Sequence, residues 1–307
     1  MWIFAVNEQA GGGRGRRVWK KVEADVKRRG IPYLAILTSC PDKASARIRT
    51  ELELRPSEDI KAVIVIGGDG TLHGLLPVLA GSGIPLGIVP AGSGNDTARA
   101  FGIPKQPLQA LERVFTSLAR PVDLLLLTGG SPALPRLVLT ALAIGFDAAV
   151  ADAVNQSSYK KLCNLLRAGS LAYIIGVFQT LLTYQPRRLQ LTIDGLEHSF
   201  ERGWLSAICN TPSYGGGLRI CPDASSTDGL LDVCVVHSCK PFQLLRLFPT
   251  LLSGTHTRLS YVTLLRGRAV AVSADGPAPT RVFGDGETVG SVPLSAQAAK
   301  GLLLLLH

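Results

Sequence analysis

The chain has 307 residues, 46% hydrophobic and 18% charged, which excludes a disordered polypeptide and suffices for one large domain or two ordinary ones. Its 32 lysines and arginines exceed its 23 acidic residues by nine, which favours an anionic partner, while the 6% aromatic content and the lack of zinc-finger spacing argue against nucleic acid. Mean hydropathy is high at +0.25, but it comes from short runs; the best candidate span, Leu171 to Tyr184, has about 14 residues, includes Gln179, and reads as a core or interfacial helix.

Taken in chain order, Trp2 to Val6 reads as a strand, since the amino terminus lacks the basic region and apolar length of a signal peptide. Gly15 to Arg29 predicts an amphipathic basic helix, Tyr33 to Leu37 a strand, and Asp42 to Leu54 a helix ending before Pro56. Ala62 to Ile66 is a strand buried on both faces, followed by a Gly-rich turn and a helix from Thr71 to Ala80. Pro85 to Val89 repeats the strand, again with a Gly-rich turn and a helix starting near Asn95. This β-α alternation predicts a parallel sheet flanked by helices, with ligands at the carboxyl ends of the strands.

From about Arg120 the texture changes to longer strand-like runs: Val122 to Leu127, Leu137 to Ile144, Arg188 to Ile193, Gly203 to Asn210, Leu230 to His237, Thr257 to Leu265, Val270 to Ser273 and the final leucines. Helical patterns are fewer, chiefly Ala148 to Asn155, Ser170 to Thr183 and Pro241 to Leu252. The expected architecture is an α/β domain over residues 1–118 and a mostly antiparallel β-sandwich over 119–307. Cys40, Cys163, Cys209, Cys221, Cys234 and Cys239 form no C-x-x-C pair, which fits reduced thiols in a cytoplasm.

The strongest chemical signal is Gly67-Gly68-Asp69-Gly70-Thr71, between the buried strand and a helix. Three glycines let backbone approach a phosphate, a helix start offers free N–H groups and a positive dipole, and Thr71 is placed to cap. A carboxylate in such a turn implies a nearby cation, which makes Asp69 a candidate member of a magnesium network. Pro90-Ala91-Gly92-Ser93-Gly94-Asn95-Asp96 repeats the device one strand later, with Asn95 or Asp96 able to cap the next helix. Neither turn matches the P-loop or the dinucleotide fingerprint. Asn7 to Arg17, with Gly11, Gly12, Gly13 and Gly15 among three arginines, offers a third, basic loop at the same edge. In the second half, Asp147, Asp228, Asp285 and Glu287 stand in Gly-rich or apolar settings. Any one alone is an ordinary turn or cap residue; together they can supply a general base and metal ligands.

In order, Asn7-x-x-x-Gly11, Gly67 to Thr71, Pro90 to Asp96, Gly145 to Ala148, Asn210 with Gly215-Gly216-Gly217, Pro222 to Asp232 and Gly284 to Glu287 resemble the diacylglycerol kinase catalytic-domain superfamily over essentially the entire chain. The similarity is greatest to its soluble bacterial lipid kinases, relatives of sphingosine kinases. The resemblance implies transfer of phosphate from ATP, with Mg2+, to a lipid hydroxyl, with nucleotide and lipid meeting in a cleft. It implies that Asn7, Gly11, Thr38, Gly67, Gly68, Asp69, Gly70, Thr71 and Ser93 line the ATP site. Asp228 and the backbone oxygens of Ser225 and Leu230 correspond to a structural magnesium site linked through water to Asp69. Asp147 corresponds to a catalytic-network acid, and the general base to Asp285 or Glu287, which the sequence does not separate. Glu8 departs from the family pattern, where proline usually follows the first Asn, and places a carboxylate near the phosphates. Ser93 and Gly94 stand where Thr-rich variants are common.

Two other readings are open at this point: an NAD kinase-like enzyme with a soluble acceptor, which shares the Gly-Gly-Asp-Gly-Thr turn, and a nucleotide- or lipid-binding regulator without turnover. The acidic residues and the Asp228 to Asp232 motif favour the lipid kinase. Its expected setting is the cytoplasm, peripherally at the inner face of the membrane, where Lys160, Lys161, Arg167, Arg187 and Arg188 beside Leu171 to Tyr184 form a candidate basic rim. An exposed antiparallel edge also makes a homodimer an expectation.

Overall fold

Ala62–Gly67 (β3) buries all six of its residues, as expected of a β-branched run at the centre of a parallel sheet. The structure is a computed structural model that describes residues 1–39, 41–129, 136–156, 169–276 and 279–307. Its contacts divide the chain into two units, residues 1–124 with 299–307, and residues 125–298.

In the first unit, Trp2–Asn7 (β1) lies between β3 and Tyr33–Thr38 (β2), and Leu86–Pro90 (β4) lies beside β3, all parallel. Ala10–Arg28 (α1) and Pro41–Leu54 (α2) make the first two crossovers. The strand order β2-β1-β3-β4 reverses direction between β1 and β3, which is where an open parallel sheet leaves a crevice at its carboxyl edge. The single helix expected over Thr71 to Ala80 is two short ones, Asp69–His73 (α3) and Leu76–Leu79 (α4), with Gly74 in the interval and Pro77 in the first turn of α4 favouring the break. Asp96–Ala100 (α5) follows β4, and Pro107–Thr116 (α6), absent from the sequence reading, packs Val114 against Gly87 of β4.

Ala119–Gly129 (β5) carries the chain from the first unit into the second. The single strand expected over Leu137 to Ile144 is two, Arg136–Val138 (β6) and Ala141–Gly145 (β7), because the N–H groups of Leu139 and Thr140 turn to the Asp285 carboxylate instead of a ladder. After Phe146–Gln156 (α7) and Gly169–Thr183 (α8) come Arg187–Ile193 (β8) and the long strand Leu196–Cys209 (β9). The first half of β9 pairs with β8, and the second half lies between β7 and Leu231–His237 (β10). Pro241–Ser253 (α9) precedes Val262–Gly267 (β11), Ala269–Ala274 (β12), the hairpin Arg281–Gly284 (β13) and Glu287–Ser291 (β14), and Leu294–Leu306 (β15). Among the described residues, the pairings made by β6 to β14 are antiparallel. Alternation on β10 shows the layering. Leu231, Val233 and Val235 enter one core with β8 and β12, while Cys234 and Val236 enter another under α7 and α9.

The strand β15 serves both units: Leu294 to Gln297 pair with β12, whereas Leu305 and Leu306 run parallel to β4. Residues 299–307 therefore group with the first unit rather than with the sandwich where the sequence division places them. Cys209, Cys221, Cys234 and Cys239 are free and buried; Cys40 and Cys163 lie outside the described residues.

Trp204 anchors the second core: it is 2% exposed, stacks on Tyr184, meets Phe146 edge-on, and donates its indole N–H to the Cys239 carbonyl at 3.0 Å. Trp204→Ala is expected to cost about 3 to 5 kcal/mol of unfolding free energy in denaturant titration, from lost burial and the cavity left behind.

Candidate functional site

Four strand ends form the carboxyl edge of the first sheet: Asn7, Thr38, Gly67 and Pro90. The turn after β3 and the turn after β4 touch backbone to backbone. A Cβ on Gly92 would stand 2.5 Å from the Gly68 Cα, so neither position tolerates a side chain without displacement. Gly67 accepts N–H bonds from Ala91 and Gly92 on its carbonyl, at 2.7 and 3.1 Å. The loop after β1 joins them through Gly11, where a Cβ would meet the Ala91 carbonyl at 2.5 Å, and through Arg14, which donates to the Gly92 carbonyl at 3.2 Å. Gly11, Gly12 and Gly13 all have positive φ, so regular helix in α1 begins only at Arg14.

Asp69 locks the arrangement. One carboxylate oxygen accepts the N–H of Asp96 at 3.1 Å and the other that of Thr97 at 3.0 Å, so the Gly-Gly-Asp-Gly-Thr turn caps α5 across 27 residues of sequence. Burial raises its pKa above the ordinary carboxylate range, and the Thr97 and Asp96 amides oppose that rise. The expected caps are different groups. Asn95, in the left-handed region at φ 54°, turns its amide back to Gly92, accepting at 2.8 Å and donating at 2.9 Å. Thr71 sits inside α3, packs on Gly67 and accepts from the Asn7 side chain at 2.9 Å. Glu8 pairs with Arg16 at 3.0 Å, which balances the carboxylate that departs from the family pattern. The structure thus gathers Asn7, Gly11 and Gly67 to Thr71, with Thr38 beside Asn7 at the end of β2 and Ser93 exposed on the second turn.

In the second unit, Asp285 and Glu287 differ in kind. Asp285 is 7% exposed, in the left-handed region at φ 52°, and accepts the Leu139 N–H at 2.9 Å, the Thr140 N–H at 2.8 Å and the Thr140 hydroxyl at 2.6 Å. Buried Asn210 completes this junction by donating from its side chain to the Leu139 carbonyl at 2.8 Å. Glu287, at the start of β14, is exposed.

Asp147 opens α7 and accepts the Tyr214 hydroxyl at 2.5 Å and the Ala148 N–H at 2.9 Å. The residue keeps some solvent exposure, yet the protein packed round its carboxyl pushes the pKa up to about 7, against the pull of those two donors. Beside it is a concavity of about 330 Å³ bordered by Gly145, Ala148, Asp152, Tyr184, Arg187 and Arg281. A larger one, about 660 Å³, lies over β8, β9 and β12 and holds none of the candidate site residues.

The magnesium expectation at Ser225, Asp228 and Leu230 meets a different arrangement. Asp228 accepts the Leu230 N–H on one oxygen at 3.0 Å and the Arg266 guanidinium on the other at 2.7 Å, and Arg266 also reaches Asp232 at 3.2 Å. The Ser225 hydroxyl is engaged with Thr227, while the ligands the resemblance implies are the backbone oxygens of Ser225 and Leu230. Among the described residues no three His, Cys, Asp or Glu side chains are gathered to hold a metal ion. As arranged, the Arg266 guanidinium supplies positive charge at the Asp228 and Asp232 carboxylates where the resemblance implies a cation, and Asp232 Oδ2 has no hydrogen-bond partner among the described residues. Arg266 and Tyr214 were not singled out by sequence reading. Arg266 faces Asp232 only through the β10–β11 register, and Tyr214 reaches Asp147 across 67 residues.

Residues 1–127 match the diacylglycerol kinase catalytic domain, and residues 140–307 match the YegS C-terminal NAD kinase beta sandwich-like domain. A diacylglycerol kinase of Mycobacterium tuberculosis is 35% identical over 302 residues, 98% of this chain and 93% of its own length. One from Bacillus subtilis is 27% identical over 289 residues, 91% and 88% of the two chains. The crystal structure of a diacylglycerol kinase from Bacillus anthracis shares the fold with a TM-score of 0.77 at 20% identity, covering 100% of this chain and 96% of that one.

Two outcomes are expected. Asp147 holds a proton in the folded protein that the unfolded chain has released, so its contribution to stability is full below about pH 4 and lost as pH rises towards 7. Asp147→Asn should flatten that decline in a plot of Tm against pH. Arg266→Ala should lower stability by about 1 kcal/mol. Chelator should leave the Tm of the unsubstituted protein unchanged, while added magnesium should recover part of the loss in the variant.

Proposed function

We propose that this chain, which belongs to the diacylglycerol kinase catalytic-domain family and is a lipid kinase, moves the γ-phosphoryl group of ATP onto the hydroxyl of diacylglycerol. The observation that carries the nucleotide half is the Asp69 lock, which joins two Gly-rich turns at the carboxyl edge of the parallel sheet, with the loop after β1 added through Gly11 and Arg14. The acceptor is proposed from the relatives named diacylglycerol kinase that match along nearly the whole chain.

Phosphoryl transfer needs in-line positioning and neutralised charge more than covalent chemistry. Backbone N–H groups of the Gly67 to Thr71 turn, and Arg14, which bonds to the Gly92 carbonyl, would meet phosphate oxygens. Magnesium entering with the nucleotide would add charge neutralisation on the migrating group. The acceptor hydroxyl must lose its proton as the bond to phosphorus forms, and Glu287 is assigned as the general base, contributing about 10² to 10⁴ in rate. Its exposure supports this role, whereas Asp285 spends both carboxylate oxygens on the Leu139–Thr140 junction. Among the described residues no helix is long and apolar enough to cross a membrane. The enzyme is taken to meet its lipid peripherally, at the cytoplasmic face.

Incubation with radiolabelled ATP, magnesium and micelles of diacylglycerol, ceramide, sphingosine or phosphatidylglycerol, followed by thin-layer chromatography, is expected to label diacylglycerol. A label on another lipid, or none, would sink the acceptor assignment. Glu287→Gln should reduce turnover by at least about a hundredfold with unchanged Tm. Asp285→Ala should instead destabilise the fold by about 2 to 3 kcal/mol through its orphaned buried donors. Near-normal turnover in Glu287→Gln would remove that residue from the role.

A further inference from the structure

The helix α9 has an apolar side too many. Leu244, Leu247 and Leu251 are buried in the core beneath it. A second row at helical spacing, Phe242, Pro249 and Leu252, runs along a different face, with Phe242 51% and Leu252 64% exposed and Pro249 exposed, while Leu245 beside it is half-buried against the core. A helix apolar on two sides at a protein surface leaves one of them for a partner.

The charge around the row identifies that partner. From Val233 to Ala274 the chain has no Asp or Glu; of the basic residues in that interval Arg266 is taken up by Asp228 and Asp232, while Lys240 and Arg246 belong to the start and the body of the helix. Lys240 immediately precedes α9, and Arg246 lies on the same surface with its guanidinium 5.5 Å from the Phe242 ring centroid. A second copy docked face to face about a two-fold axis would oppose like charges at these positions, which disfavours a dimer. An anionic bilayer supplies the opposite charge and an apolar interior together. The earlier candidate rim serves less well. Arg187 is bonded to Thr280, Arg188 is paired with Glu201, and Lys160, Lys161 and Arg167 lie outside the described residues.

We propose that α9 is the membrane-docking face of this protein: Phe242, Pro249 and Leu252 enter the headgroup boundary of an anionic bilayer while Lys240 and Arg246 contact its headgroups. The inference rests on the reading of the chain as an enzyme of membrane lipids and adds the surface by which it reaches them.

Co-sedimentation of the full chain with vesicles of phosphatidylcholine alone, or mixed with phosphatidylglycerol, tests it. Binding is expected only to the mixed vesicles and should be released at about 0.5 M salt. Lys240→Ala with Arg246→Ala should weaken it by about fivefold for each charge removed. Phe242→Ser with Leu252→Ser should weaken it by at least about tenfold. Both variants should keep their Tm and their turnover on a short-chain, water-soluble diacylglycerol. The proposal is overturned if the variants sediment like the unsubstituted protein, if neutral vesicles bind equally well, or if size-exclusion shows a dimer that Phe242→Ser with Leu252→Ser dissolves. Should the unsubstituted protein label no lipid at all, the proposed function fails, and the sedimentation of the variants still decides the docking face.

Discussion

The two amide bonds accepted by the Asp69 carboxylate organise the first unit. They reach from one strand's turn to the start of the helix after the next strand, and so convert two separate Gly-rich turns into one surface. The contact is feasible only because Gly68 and Gly92 lack side chains where the turns cross. A helix of five residues has little stability of its own, and capping both leading N–H groups with a carboxylate offsets part of that cost. The same carboxylate is largely desolvated, which raises its pKa, and the amides that hold it lower it again. Structure and electrostatics are therefore coupled at a residue whose sequence context had suggested a cation.

A parallel device shapes the second unit. Asp285 receives the N–H groups of Leu139 and Thr140 and thereby interrupts what the hydrophobic run predicts as one strand. The interruption lets β6 pair with β5 while β7 joins β9 and β13. Two carboxylates two residues apart are thus divided between architecture and solvent, one sealed and one exposed.

Much of the fold was legible because its signals are local. Ala62 to Ile66 is apolar at every position, as a doubly covered strand must be, and the alternating runs of the second half match antiparallel pairing. The glycine motifs were legible too, since close backbone approach requires that residue. What escaped depends on partners distant in sequence. Neither Asp69 capping α5, Asp285 splitting a strand, nor Arg266 bridging Asp228 and Asp232 can be read from neighbours, because each needs the register of elements 27 to 146 residues apart. Thr71 and Asn95 have ordinary capping chemistry, and tertiary contacts redirected both.

The course of β15 bears on how the protein is made. Leu305 and Leu306 cover the outer edge of β4, Leu302 accepts the Gly81 N–H at 2.7 Å, and Gly301 donates to Asp123 at 2.7 Å. All these residues follow the whole second unit in sequence. During synthesis, the first sheet emerges early but keeps a bare, apolar strand edge until more than three hundred residues have left the ribosome. Folding of the first unit thus closes last, and a chain lacking residues 299–307 would expose its defect at β4, on the unit whose other residues were made first.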